Sequence, residues 1–274
     1  MSQEAPLILR TPKSWIEGEA EQQLRRVAGL DGMDRVVGMP DLHPGKGSPV
    51  GAAFFSTTHV FPYLVGNDIG CGMGLWALDA KLKKVRLDKW EKHARRAGLD
   101  RTWPGDAGAW MRDAGIEQPL FEESLGTIGG GNHFAEVLRA VDVVDAERWE
   151  RAGLRADVPY LLVHSGSRGL GESILREFVD AHRDAGVEAE GEAARAYLAR
   201  HDTAVAWARA NRALIAQRFS EAWSVTPSKV LDLVHNAVVR ARLAGSDGWL
   251  HRKGAAPAEA GRLMPIPGSR GAPT

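Results

Sequence analysis

The stretch Tyr160-Leu161-Leu162-Val163-His164-Ser165-Gly166-Ser167-Arg168-Gly169-Leu170-Gly171 reads as a strand, a glycine-rich loop and the entry to a helix. The apolar run suits a strand, and the glycines and serines that follow suit a loop. His164 ends the strand and Arg168 stands in the loop beyond it. Loops that leave strand ends are where α/β folds place functional groups. The loop is not a Walker A loop, because the Gly-Lys-Ser/Thr ending is missing. The ordinary alternative is a histidine that only caps a buried strand.

Downstream, residues 170–223 are dominated by Ala, Arg, Glu and Leu, with Val205, Ala208, Leu214, Ile215 and Phe219 at helical spacing. That periodicity predicts two or three helices, forming an insertion packed against the sheet. Upstream, the apolar runs 35–39, 50–55, 73–78 and 134–144 are separated by Gly, Pro and Asp and predict further strands. Ser14 with Glu17 makes a capping box that opens a helix over 15–28, stopping at Gly29. Residues 87–115 read as mostly helical, broken by Pro104, and 229–239 and 248–251 as shorter closing elements. The fold expected is mixed α/β (α+β), one domain over 1–274 with the helical insertion 170–223 inside it, and no internal repeat.

The 274 residues carry 35 Lys+Arg and 35 Asp+Glu, so the formal net charge is zero. That excludes a whole-protein basic field of the kind that drives nonspecific nucleic-acid binding, and any nucleic-acid contact would need a local patch. Lys81, Lys83, Lys84, Arg86, Arg95 and Arg96 supply such runs, although runs like these are commonly solvated faces. Cys71 is the single cysteine, so no intrachain disulfide forms and a thiol is left for metal or chemistry. No apolar run approaches the roughly 20 residues of a membrane helix, and the N-terminus lacks a signal-peptide core. A cytoplasmic protein with no membrane partner is expected.

Three more segments carry unusual residues. In Gly66-Asn67-Asp68-Ile69-Gly70-Cys71-Gly72-Met73, a carboxylate and a thiol stand three apart among glycines that permit tight turns. In Gly126-Thr127-Ile128-Gly129-Gly130-Gly131-Asn132-His133-Phe134, open backbone amides precede a histidine, and Glu136 follows. Asp232, His235 and Asn236 are followed by the basic loop His251-Arg252-Lys253-Gly254-Ala255. Singly, each also reads as a buried cysteine, a flexible turn or a surface histidine. Together, Asp68, Cys71, His133, His164 and His235 supply a carboxylate, a thiolate and three imidazoles. That set suits manganese, iron or zinc better than magnesium or calcium. A thiolate can bridge two ions, and two ions sharing Cys71 would use all five ligands.

These segments, with Asp41-Leu42-His43-Pro44-Gly45-Lys46-Gly47, resemble the RtcB family of RNA ligases in the family's order along essentially the whole chain. The opening Trp15-Ile16-Glu17-Gly18-Glu19-Ala20 is most similar to the subgroup coupled to release factor H, associated with RNA repair. The resemblance implies an RtcB-like fold and a site for two manganese ions and GTP. Cys71, His164 and His235 would hold one ion, and Asp68, Cys71 and His133 the other. Asn132 and Glu136 match positions that contact GTP, and His235, Asn236 and Ser269 belong with the nucleotide site. Arg168 and Lys253 match basic positions near nucleotide and RNA phosphates, and Asp41 and His43 are supporting residues. In the family, a histidine is guanylylated, GMP passes to an RNA 3′-phosphate, and the 5′-hydroxyl of a second end displaces it; a 2′,3′-cyclic phosphate is first opened by hydrolysis. An archease-like activator is a further implied partner.

There is one departure from the family pattern. The guanylylated histidine lies in a His-Gly-Ala-Gly-Arg motif downstream of the segment matching Pro267-Gly268-Ser269-Arg270-Gly271, and the chain ends at Thr274. The expectation is a complete metal site, a catalytic domain incomplete at its C-terminus, no guanylylation nucleophile before Thr274, and lower stability than a longer parent. His251, the last histidine, belongs to the His-Arg-Lys-Gly motif and is not assigned the role. One rival is a metal- and nucleotide-binding protein that recognises RNA ends without ligating. The other is a dinuclear phosphoesterase of the calcineurin type, which Asp41-x-His43 and Gly131-Asn132-His133 match superficially. Its middle Gly-Asp-x-x-Asp and late Gly-His-x-His are missing, and Phe134 replaces its acidic residue.

Overall fold

The computed structural model describes residues 5–11 and 14–268. The first elements are β1 (Leu7–Ile8), α1 (Gly18–Ala28), β2 (Arg35–His43), β3 (Val50–Ser56), β4 (His59–Val60) and β5 (Gly72–Leu78). Next come α2 (Leu87–Arg96), α3 (Ala107–Asp113), β6 (Phe134–Leu138), α4 (Ala146–Arg151) and β7 (Tyr160–Ser165). The chain continues through α5 (Gly169–His182), β8 (Val187–Glu188), α6 (Glu192–Trp223), β9 (Pro227–Val234), β10 (Ala237–Leu243) and β11 (Ser246–Lys253). This mixed α/β architecture is the expected class. Its described residues gather into two compact units, one drawn from within 1–71, 169–205 and 234–257, the other from within 72–168, 206–233 and 258–268.

The first unit is built on the sheet β1-β2-β3-β11-β10, antiparallel except for the β1–β2 pair. In α1, Ala20, Gln23, Leu24, Val27 and Ala28 are buried, a three-four spacing that makes one stripe. The stripe packs with Val36, Leu42, Phe54, Phe61 and Leu64. Each large side chain so removed from water contributes roughly 1.5–3 kcal/mol. The helix stops at Gly29 as expected, but its start differs: it opens at Gly18, with Glu17 at the N-cap making no side-chain cap. The capping box does not form because the Ser14 hydroxyl instead accepts the Thr11 N–H at 3.0 Å.

The second unit is built on the sheet β6-β7-β5-β9. His164 on β7 lies opposite Met73 of β5 and Phe134 of β6. The next row is Leu75, Leu162 and Glu136, and the third is Ala77, Tyr160 and Leu138. Residues directly opposite share a face and alternate residues share a face, so all three rows project to one side. The other side presents Trp76, Leu161 and Val163, which are buried against Ile215, Ala216, Phe219 and Trp223 of α6. The helical stretch read as an insertion is therefore divided: α5 and the start of α6 belong to the first unit, and the rest of α6 is core of the second. β6 ends at Leu138, short of the predicted run, and Val141 and Val144 beyond it are exposed.

Candidate metal centre

Cys71 is bonded to Gly72, the first residue of β5, and that bond fixes its place at the head of the strand. His164 lies near the end of the neighbouring strand, and His133 immediately precedes β6 on its other side. The topology thus brings three distant residues to one sheet end. One ligand atom from each of Cys71, His133 and His164 lies within 4.8 Å of the others. The Cys71 and His164 side chains are buried, and the two imidazoles stand 5.4 Å apart at 78°.

The hydrogen bonding around His164 fits a ligand. Its Nδ1 is 3.0 Å from the Asn132 carbonyl. A carbonyl only accepts, so Nδ1 carries the proton and Nε2 is the nitrogen that would bind metal. A thiolate with two imidazoles, close enough to share an ion, matches the preference of borderline first-row metals.

The other expected ligands lie on segments joined to Cys71. The His235 N–H donates to the Cys71 carbonyl at 2.9 Å, and Asn236 Nδ2 donates to the Asp68 carbonyl at 3.2 Å. Asn236 Oδ1 also accepts the Gly254 N–H at 2.7 Å. The side chain expected at the nucleotide therefore clamps the Asp68–Cys71 loop to the loop after Lys253. Asn132 and Glu136 are exposed; Glu136 stands on the His164 face, one row along.

A cleft of about 1150 Å³ in the second unit is lined by His133, Phe134, Gly129, Arg168, Arg101 and Arg95, among others. Arg168 has a left-handed backbone, φ 57°, and its Nε is buried with no hydrogen-bond partner among the described residues. Its guanidinium lies against Gly129, where an added Cβ would stand 1.9 Å from Nη1. Of the basic runs singled out in the sequence, Arg95 reaches this cleft.

Lys253 is not at an open surface. Its ammonium is buried and donates to the carbonyl and hydroxyl of Ser48 at 2.9 and 3.0 Å. Desolvation pushes its pKa down to about 8. Asp41 and His43 are exposed at an irregular end of β2, where His43 Nδ1 lies 2.7 Å from the Asp41 carbonyl. Ser269 lies outside the described residues. Asn211 and Arg212 were not singled out in the sequence. Polar residues on a long helix read as its wet face, yet both are fully buried behind the sheet.

A model of the family described as tRNA-splicing ligase RtcB matches residues 23–118 and 112–274. The chain belongs to the RtcB family. It is similar to the RNA-splicing ligase RtcB2 of an Escherichia coli strain, 48% identical over 260 residues that cover 94% of this chain and 67% of that protein. It is also similar to the RNA-splicing ligase RtcB of Escherichia coli K12, 29% identical with 99% and 76% covered. The tRNA-splicing ligase RtcB of Methanococcus maripaludis is 28% identical over 220 residues, 60% of this chain and 44% of that one.

Proposed function

We propose that this chain is the metal-binding core of an RNA ligase that uses GTP and manganese to join RNA 3′-phosphate or 2′,3′-cyclic phosphate ends to 5′-hydroxyl ends. The observation that carries this reading is the convergence of Cys71, His133 and His164 at one sheet end in a chain of the RtcB family. Cys71, His164 and His235 would hold one ion, and Asp68, Cys71 and His133 the other. Bound manganese would neutralise phosphate charge and polarise the phosphorus under attack.

The chain's own residues supply the rest. The Asn132 carbonyl holds the His164 tautomer. Arg168 offers a guanidinium on the cleft beside His133, suited to bidentate recognition of a phosphate. Glu136, exposed on the His164 face, would accept from the N–H groups of a guanine edge. Arg95 and Arg101 line the outer cleft, where an RNA backbone would run. Partnership with release factor H rests on the likeness of the 15–20 opening, where Trp15 is 81% exposed, and an archease-like activator on the family resemblance as a whole.

The test is incubation with radiolabelled GTP, manganese and two RNAs, one ending in 3′-phosphate and one beginning with 5′-hydroxyl. It is run on this chain and on this chain extended by the family's His-Gly-Ala-Gly-Arg segment. The extended protein should form an acid-labile adduct and joined RNA, and residues 1–274 should retain GTP without an adduct. Absence of manganese-dependent GTP retention by either protein would sink the proposal. Retention without joining by the extended protein would favour an RNA-end-binding role.

A further inference from the structure

Arg212 of α6 is fully buried behind the four-stranded sheet, on the face away from His164. Its Nε and Nη2 donate to the Asp232 carboxylate of β9 at 2.8 and 2.6 Å, and its Nη1 donates to the Ser165 carbonyl of β7 at 2.7 Å. β7 and β9 flank β5, so one guanidinium bridges both neighbours of the strand that begins after Cys71. It passes behind Gly74, where an added Cβ would stand 2.2 Å from the Trp76 ring and 3.3 Å from Asp232 Oδ2. Asn211 extends the grip. Its Oδ1 accepts the Gly126 N–H at 2.7 Å, and its Nδ2 donates to Thr127 O and Ser165 Oγ, both at 3.2 Å. The helix thus holds, from behind, the strand carrying His164, the strand after Cys71 and the loop leading to His133.

We propose that Arg212 and Asp232, with Asn211, are positioning residues that set the spacing of the metal ligands; this rests on the metal-binding reading above. A pair serving only to fill the core would be replaceable by apolar residues of similar volume, because desolvating two charges offsets much of their attraction. A planar, two-pronged guanidinium also fixes direction, which apolar packing does not.

The full chain is titrated with cobalt(II), whose absorption reports thiolate bonding, and is melted in parallel. The double variant R212M/D232L should melt close to the unmutated chain, bind cobalt about 10–100-fold more weakly, in the range seen when supports of metal ligands are removed, and show a weaker thiolate band. R212K should be intermediate, since it keeps the charge and loses the fork. Cobalt affinity and band unchanged in a folded R212M/D232L protein would overturn the inference. Should that variant not fold, the isosteric D232N is read in the same way. A thiolate band absent from the unmutated chain would remove the metal reading itself, an outcome distinct from failure of the positioning role.

Discussion

His251 accepts the backbone N–H of Phe61 through Nε2 at 2.9 Å, and its Nδ1 lies 3.2 Å from the Phe54 carbonyl. The ring is fully buried on β11, with one nitrogen accepting and the other donating. Neither is available to attack a phosphorus. Incubation with GTP and manganese should leave His251 unmodified, as read by mass spectrometry of the peptide that contains it. An adduct at His251 would contradict this geometry.

The same burial has a pH signature. Desolvation pushes the His251 pKa down from its ordinary 6.5 to about 4. The unfolded chain therefore takes up the proton first, and the contribution to stability is full above pH 6.5, falls as pH drops toward 4, and is flat below it. Integrated over that window the loss is roughly 3 kcal/mol. Urea unfolding at pH 7 and pH 4.5 should show a steeper decline for the native protein than for His251→Asn. Equal slopes would refute the assignment.

Gly129 has φ 100° and faces the Arg168 guanidinium. Alanine there carries both backbone strain and a clash with a flexible side chain, which can move. Gly129→Ala should therefore fold yet mimic Arg168→Ala, with each losing about tenfold or more in affinity for an RNA 3′-phosphate, the value of a charge-assisted hydrogen bond of about 1.5–3 kcal/mol. Fluorescence anisotropy with a short labelled RNA measures it. Wild-type affinity in Arg168→Ala would show that Arg168 does not contact the phosphate.

Trp223 stacks on Trp90 with centroids 4.5 Å apart, and its Nε1 donates to the Trp90 carbonyl at 2.9 Å. Truncating Trp223 to alanine should cost about 3–5 kcal/mol, since it removes core volume and leaves a cavity. Denaturant unfolding checks the value; a loss below 1 kcal/mol would mean that α2 is not anchored there.

Much of this was legible in the sequence, for physical reasons that particular residues show. Tyr160–His164 read as a strand because its apolar run gives way to serine and glycine, and the strand observed is Tyr160–Ser165. Residues 229–239 read as one element, yet the strand breaks at His235 and Asn236, whose backbone N–H groups turn to the Cys71 carbonyl. That partner is remote in sequence, so no local pattern announces it. Ser14 and Glu17 matched a capping pattern, and a competing bond to Thr11 won. The metal-binding residue types were visible, but not that Cys71, His133 and His164 form the tight trio. Arg212 was missed because composition cannot tell a buried guanidinium with a carboxylate partner from a solvated one.

Equilibrium dialysis against manganese tests the central claim most directly, comparing the native chain with Cys71→Ser. If Cys71 bridges two ions, the native chain should bind two per molecule and the variant should lose high-affinity binding of both while remaining folded by circular dichroism. Unchanged manganese stoichiometry and affinity in a folded Cys71→Ser protein would contradict the account.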